Sequence, residues 1–204
     1  MSLHNISVCR YLTDISGEWS QDHYRARNIV RAIKGDTFNG YAFFRVGGVL
    51  RRLDSKNIQT AVDWFVDRIA EEVQFTGKSN TICPIPDSQS TPSSTRVFRT
   101  LALAVSLAQR MPKLKVWPHL KFKQPMQRKI RDEDLLFRNL VCTAPIPTGD
   151  IVLLDDVCTT GSHARAAQRR LVKEGAEGHI SAISVARTML DPNEVVFGFR
   201  CDEL

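Results

Sequence analysis

Short apolar runs and amphipathic segments alternate along this chain from one end to the other. Apolar runs of about four to eight residues between turn-forming residues are typical of buried strands, whereas apolar residues three and four apart indicate helices. The pattern predicts strands at 6–12, 41–46, 80–85, 114–117, 151–154, 180–186 and 195–199, and helices at 24–34, 57–73, 96–111 and 163–174. This alternation favours an α/β fold, with a doubly wound, mostly parallel sheet and a ligand site at the carboxyl ends of its strands.

Two of the predicted helices have a distinct apolar side. The helix at 96–111 has an apolar stripe that we expect to face the core, formed by Val97, Leu101, Ala104, Val105 and Ala108. The helix at 24–34 has basic residues, Lys34 among them, away from its apolar side. They form either a solvated face or a binding surface, and the solvated face is the simpler interpretation.

The stretch 151–163 combines the features of an anion site. A strand ends at two adjacent carboxylates, Asp155 and Asp156, and a polar loop then leads into a helix; the loop consists of Cys158, Thr159, Thr160, Gly161, Ser162 and His163. Hydroxyls and backbone N–H groups at a helix N-terminus favour a phosphate, and paired carboxylates suit vicinal hydroxyls or a magnesium shell. A sugar phosphate is the simplest ligand that uses both halves. The alternative is an ordinary buried strand that ends in an acidic turn.

A second hydroxyl-rich loop occupies 86–95, between a predicted strand and a predicted helix. It begins with Asp87, Ser88, Gln89 and Ser90. Connections of this kind usually have only about two to six residues, so its length favours a ligand-binding role. A linker or a disordered loop is the alternative, because Ser and Thr also populate loops that bind nothing.

The segment from Lys121 to Arg138 has little periodicity and many charges, and we expect it to be a mobile loop. Its basic residues include Lys121, Lys123 and Arg131. Three interpretations remain open: a lid over a bound ligand, a solvated loop, and a contact surface for nucleic acid.

Composition excludes several classes of protein. Among 204 residues, 25% are charged and 43% are hydrophobic, values that indicate neither disorder nor a membrane protein. No apolar run or leader pattern suggests a membrane span or secretion, so we expect a cytoplasmic location. The five cysteines are scattered without a Cys-x-x-Cys pair, which favours reduced thiols over a zinc site. The net charge of +6 would attract polyanions of any kind.

The order of strand, two acids, two further residues and Thr-Thr-Gly resembles the motif with which type I phosphoribosyltransferases bind 5-phosphoribosyl 1-diphosphate (PRPP). Residues 27–34 before a glycine, Pro84-Ile85-Pro86, the 121–127 stretch and Arg138-Asn139 are similar in order to ComF-type phosphoribosyltransferases. Together these matches span most of the chain, although only the PRPP motif is specific by itself. The cysteine-rich N-terminal zinc element of many ComF proteins is missing from this sequence, and a role in DNA uptake is not carried over.

Three positions depart from the patterns of the family. Cys158 stands where an aliphatic residue is usual, and His163 replaces the final hydroxyl residue of the motif. Thr159 occupies the place where 6-oxopurine salvage enzymes carry an aspartate. The resemblance therefore argues against purine salvage of that kind.

The resemblance implies a magnesium-dependent transferase with a small N-terminal hood or extension at 1–50 and a core at 51–204, or a single domain over 1–204. Asp155 and Asp156 would bind the ribose hydroxyls and hold Mg²⁺ indirectly, through those hydroxyls or water. The 158–163 loop would bind the 5′-phosphate, Asp87–Ser90 would lie near pyrophosphate, and Lys121, Lys123 and Arg131 would belong to a flexible lid. The acceptor would be an unidentified nitrogen compound, and a homodimer is left open.

Two other functions remain compatible with the sequence. One is a PRPP- or nucleotide-sensing regulatory protein without transfer activity, suggested by His163 and by the lack of a recognisable acceptor segment. The other is a basic nucleic-acid accessory protein, which would use the lid and the basic face at 165–173.

Overall fold

The structure, a computed structural model, describes residues 2–13, 18–73, 80–127, 130–189, 191 and 193–204. Its strands are β1 (His4–Tyr11), β2 (Ala42–Val46), β3 (Val49–Leu53), β4 (Asn80–Pro84), β5 (Leu114–Val116), β6 (Leu120–Phe122), β7 (Leu140–Cys142), β8 (Asp150–Cys158), β9 (Ile180–Thr188) and β10 (Phe197–Glu203). Its helices are α1 (Gln21–Lys34), α2 (Gln59–Glu72), α3 (Arg99–Arg110), α4 (Glu133–Asn139) and α5 (Ser162–Lys173). Within these ranges, no helix is both long and apolar enough to cross a membrane.

Six strands form the central sheet, in the order β10-β1-β9-β8-β4-β5. All neighbouring strands are parallel except β1 and β10, which pair antiparallel at one edge. From β4 the chain moves outward to β5 and later returns to β8 on the other side of β4. The strand order therefore reverses between β4 and β8, where doubly wound sheets bind their ligands. The predicted α/β class and the doubly wound, mostly parallel sheet are confirmed.

The four apolar residues at the centre of β8 are buried on both faces of the sheet. Val152 and Leu154 pack in one core with residues of α1, α2 and α3, whereas Ile151 and Leu153 pack in a second core with residues of α4 and α5. Successive side chains of a strand point to opposite faces. This continuous apolar run is therefore explained by helices on both sides of the sheet.

The N-terminal part of the chain contributes to two sheets. β1 lies inside the central sheet, between β9 and β10, while β2 and β3 form a separate antiparallel pair. The division of the chain at residue 50 stays a prediction.

The apolar stripe predicted for residues 96–111 is confirmed at Ala104 and wrong at Val97 and Val105, which are exposed. Val97 is 67% exposed, and the buried positions of α3 are Thr100, Leu103, Ala104 and Leu107. The helix begins only at Arg99. The predicted stripe was counted from Val97, which lies before the helix. As a result Arg99, four residues before Leu103, lies beside the buried stripe and not opposite it.

The segment from Lys121 to Arg138 is more regular than the mobile loop that the sequence predicts. β6 pairs antiparallel with β7, and α4 begins after Asp132, whose side chain accepts a hydrogen bond of 2.9 Å from the Leu135 N–H. Acidic residues in the cap and in the first turn stabilise a helix start. Residues 128 and 129 of this segment lie outside the described residues.

We expect Gly178→Ala to lower the free energy of unfolding by about 2–4 kcal/mol, because the backbone at the start of β8 would have to shift. A Cβ on Gly178 would lie 2.0 Å from the carbonyl oxygen of Gly149. The control is Gly40→Ala, where a Cβ meets nothing within 4 Å and only the positive φ of 85° is strained; it should cost about 1 kcal/mol. Thermal and denaturant unfolding measure both, and equal losses would contradict the role of the close backbone approach.

Candidate functional site

An opening in the central sheet places the acid pair at the end of β8. β4 and β8 pair only as far as Pro84 and Leu154, whereas β8 continues to pair with β9 to its last residue. The strand predicted at 151–154 thus extends beyond the acids, and Asp155 and Asp156 lie within it. They have β9 on one side and an opening on the other.

A cavity of about 450 Å³ lies at this opening. Its volume falls in the range of about 300–1,000 Å³ that small-molecule sites occupy. The residues predicted for the site that line it are Asp87, Ser88, Gln89, Asp155, Asp156, Thr159 and His163. The cavity is also lined by Lys34, Asp36, Ile85, Pro86, Arg96, Arg99, Thr100, Phe122, Met126, Gln127, Leu136 and Val157.

Asp155 is affected by its burial and by the neighbouring acid. Burial and the neighbouring Asp156 raise the pKa of Asp155 well above its ordinary value, against the opposing effects of Lys34 and of a hydrogen bond from the Asp156 N–H. That N–H donates to Asp155 Oδ1 at 2.8 Å, and the Val157 N–H donates to Asp156 Oδ1 at 2.7 Å. A ligand that offers hydroxyl donors or positive charge would relieve this repulsion.

The loop after the acid pair makes a tight turn into α5. Gly161, which precedes the helix, has φ 78°, a left-handed conformation that favours glycine. The hydroxyls of Thr160 and Ser162 are 2.9 Å apart, and Arg165 Nη1 donates to the Thr160 carbonyl at 2.9 Å. Gly161 offers no side-chain cap to the first turn. The Ser162 N–H donates to Thr160 Oγ1 at 3.4 Å, so the N–H groups that follow it in the first turn are the ones available to an anion.

The first and last residues of this loop have different environments. Cys158 is buried, and burial raises the pKa of its thiol to about 11. His163 lines the cavity, and burial lowers the pKa of its ring against the opposing effect of Asp156. Cys158, Thr160, Gly161 and Ser162 are not among the described residues that line the cavity.

The turn at Asp87–Ser90, called here the Asp87 turn, is connected directly to the basic segment, which is the stretch from Lys121 to Arg138. Asp87 Oδ1 accepts hydrogen bonds from Ser90 Oγ at 2.7 Å and from the Gln89 N–H at 3.1 Å. The backbone N–H groups of Phe122 and Met126 donate to the carbonyls of Ser90 and Ser88, at 2.9 and 2.7 Å. Two regions predicted separately from the sequence therefore form one wall of the cavity. Ser90 stabilises this turn and is not among the described lining residues.

The three basic residues predicted for the lid do not line the cavity in the described part of the chain. Lys121 Nζ lies 4.6 Å from the centroid of the Phe98 ring, and burial lowers its pKa while Asp87 acts in the opposite direction. Lys123 and Arg131 are exposed. A lid role for these residues stays a prediction.

Sequence reasoning missed the charged wall formed by the end of α1 and the start of α3. Lys34, Asp36, Arg96 and Arg99 all line the cavity. Lys34 had been assigned to a solvated face. The position of Arg96 and Arg99 directly after the hydroxyl-rich loop was a signal that could have identified them, but the misplaced apolar stripe directed Arg99 away from the site.

Comparisons with known proteins give only distant likenesses. No family model matches the chain, and no curated protein matches it. Among solved structures, a hypoxanthine phosphoribosyltransferase from Staphylococcus aureus is 8% identical with a TM-score of 0.40, over 81% of this chain and 75% of that one. An orotate phosphoribosyltransferase from Aeropyrum pernix is 16% identical with a TM-score of 0.43, over 78% of this chain and 92% of that one. At these values, neither a family nor an activity of this chain follows from the likeness.

The raised pKa of Asp155 predicts a pH-dependent gain in stability for Asp155→Asn. When a carboxyl has a higher pKa in the folded than in the unfolded protein, the protein loses stability as the pH rises from the unfolded-state pKa to the folded-state pKa. Asparagine does not titrate, and its side-chain oxygen can still accept the Asp156 N–H. We expect the variant to melt about 2–4 °C higher than the wild type at neutral pH, a shift of about 1 kcal/mol in a chain of this size.

The same comparison about 1.5 pH units below the pKa of an unfolded aspartate, which is about 3.9, should show almost no difference, because Asp155 is then protonated in both states. Differential scanning calorimetry across the pH range measures the effect, with Asp63→Asn on α2 as the control. A gain that did not change with pH would contradict the role of Asp155 ionisation.

Proposed function

We propose that this protein is a magnesium-dependent phosphoribosyltransferase that transfers the ribosyl phosphate of PRPP to a nitrogen acceptor and releases pyrophosphate. The observation that carries the proposal is that the acid pair, the Asp87 turn and the residues flanking the start of α5 surround one cavity where the strand order reverses. PRPP is a sugar with a phosphate at one end and a diphosphate at the other. It requires groups for hydroxyls between two groups for anions. The acid pair would serve the hydroxyls, and the start of α5 and the Asp87 turn would serve the two anionic ends.

The acid pair would bind the ribose. Asp155 and Asp156 line the cavity just beyond the last paired residues of β4 and β8. The vicinal hydroxyls of the ribose would donate hydrogen bonds to their carboxylates. When pyrophosphate leaves, positive charge develops on the sugar ring. A carboxylate that is repelled by its neighbour before reaction stabilises this charge mainly in the transition state, which is the condition for a catalytic effect.

The start of α5 would bind the 5′-phosphate. Its first turn has no cap from Gly161, and the hydroxyls of Thr160 and Ser162 lie next to it. Thr159 and His163, which line the cavity, would contact the ester side of the phosphate. The lowered pKa of His163 favours a neutral ring, so it would act there as a hydrogen-bonding group and not as a cation.

The oxygen atoms of the acid pair are suitable ligands for Mg²⁺, but the rest of its coordination shell would have to come from water and the substrate. The described residues contain no cluster of three or more His, Cys, Asp or Glu side chains that could hold a metal ion. Magnesium is usually held by one or two carboxylates together with waters and substrate phosphates. Asp155 and Asp156 would therefore hold it through water or the ribose hydroxyls, and its charge would neutralise the leaving diphosphate.

The basic segment would close the cavity over PRPP. Its backbone bonds to the Asp87 turn mean that a movement of one displaces the other. Met126 lines this wall, and Phe122 and Leu136 are buried behind it. Closure would exclude water, which competes with the acceptor for the reactive sugar.

The basic face of α5 does not favour the nucleic-acid alternative. Arg165 and Arg169 form ion pairs with Glu133, and Arg170 pairs with Glu174. These pairs reduce the positive charge that the helix presents to a polyanion.

Purified protein with Mg²⁺, PRPP and a panel of nitrogen heterocycles should release pyrophosphate, which an enzyme-coupled assay detects. The double substitution Asp155→Asn and Asp156→Asn should reduce the rate at least about 100-fold, since it removes the charge that stabilises the transition state. Asp63→Asn, which changes an acid outside the cavity, is the matched control, and circular dichroism checks the folding of all variants.

An unchanged rate in the double variant would refute the assignment of the acid pair. Calorimetric binding of PRPP without turnover would favour the sensing function. Absence of PRPP binding to the wild type would refute both.

A further inference from the structure

The two walls of the cavity differ in chemistry. One wall comes from elements packed on the α1–α3 face of the sheet and includes Lys34, Arg96 and Arg99. The other comes from elements packed on the α4–α5 face and includes Met126, which is partly buried and packs against the core that contains Phe122 and Leu136. A cationic wall thus lies across the cavity from a wall that combines an apolar side chain with the polar Asp87 turn.

The cationic wall is a cluster and not three separate side chains. Lys34 is the last residue of α1 and lines the cavity together with Asp155. The Arg99 guanidinium lies 3.9 Å from the point that a Cβ on Gly35, the residue after Lys34, would occupy. Arg96 stands three residues before Arg99, at the entry to α3. The end of α1 and the start of α3 therefore bring these charges together at one end of the cavity.

These three cations have no ion-pair partner in the described part of the chain. Among the other described arginines, Arg165, Arg169 and Arg170 form ion pairs. Others, such as Arg27 and Arg45, have none among the described residues, so the three cations differ from these because all three line one cavity. Asp36 is the acid that lines this end of the cavity, and it is exposed. A neutral molecule bound here would remove water from the cations without replacing it, which is costly.

We propose that Lys34, Arg96 and Arg99 form an anion subsite for the acceptor, which would be a ring compound carrying a carboxylate or a phosphate group. This proposal rests on the proposed transferase function, in which the start of α5 and the Asp87 turn serve the two phosphate ends of PRPP. The cationic wall is then the part of the cavity left for the acceptor. Arginine recognises both carboxylate and phosphate through paired hydrogen bonds, and the apolar Met126 side chain in the opposite wall suits a ring.

The test compares anionic and neutral ring compounds of nearly equal shape. Pyridine-3-carboxylate is paired with pyridine-3-carboxamide, and phenyl phosphate with phenol. Calorimetry measures their binding to the whole protein, with and without magnesium and PRPP. At least one anion should bind about tenfold more tightly than its neutral partner, as one charge-assisted hydrogen bond would produce. A preference for the anion in the first pair indicates a site for a carboxylate, and a preference in the second pair indicates a site for a phosphate group.

Two variants connect this preference to the wall. Arg99→Gln and Arg96→Gln should each reduce the preference to about threefold or less and change the affinity for PRPP by less than about threefold. Arg110→Gln is the matched control, because Arg110 lies at the other end of α3 and pairs with Asp67 at 3.7 Å. It should retain the full preference.

Three results would overturn the anion subsite: neutral partners that bind as tightly as the anions, anions that do not bind at all, or variants that weaken PRPP as much as the anionic probe. In the last case the cations serve the diphosphate. Failure of the transferase proposal gives a different result. Wild-type protein that neither binds PRPP nor releases pyrophosphate, but keeps the anion preference, would refute the transferase and support the subsite.

Discussion

The candidate site depends on the place where β4 and β8 stop pairing. Up to Pro84 and Leu154 the two strands are joined, and one residue later the chain after β4 turns away while β8 continues beside β9. The two acids that follow Leu154 are therefore held by a strand on one side and face a cavity on the other. If the pairing continued, the Asp155 and Asp156 backbone would be enclosed by the sheet, and their carboxylates would lose this access to a ligand.

The same opening explains why several charged groups of the cavity have no partner of opposite charge in the described part of the protein by itself. Burial and the adjacent Asp156 raise the pKa of Asp155, and the cations that line the cavity have no ion-pair partner among the described residues. The contacts between α4 and α5, in contrast, pair arginines with acids. Strongly perturbed groups in a cleft are typical of functional sites, where stability is lower because the charges are arranged for a ligand.

The parts of the structure that depend on local sequence were predictable. The order of strand, acid pair, hydroxyl loop and helix is contiguous, so the sequence identified Asp155, Asp156 and the start of α5, and the alternation of elements identified the sheet. Lys34 and Arg99 were missed because their position depends on how α1 and α3 pack together, which no local pattern records. The helix α4 was missed for a different reason, since Asp132 and the two acids after it were interpreted as a charged patch and not as a cap with an acidic first turn.

The basic segment contacts both the Asp87 turn and α5. Its backbone donates to the Asp87 turn, and its helix α4 is tied to α5 through Glu133, which accepts hydrogen bonds from Arg165 and Arg169. Arg165 in turn donates to the carbonyl of Thr160, in the loop that precedes α5. The segment is thus connected to both regions that would bind the phosphate ends of PRPP. A ligand that holds those two regions at a fixed distance would also fix the segment between them, so binding and closure of the cavity would be coupled by contacts that the protein already contains.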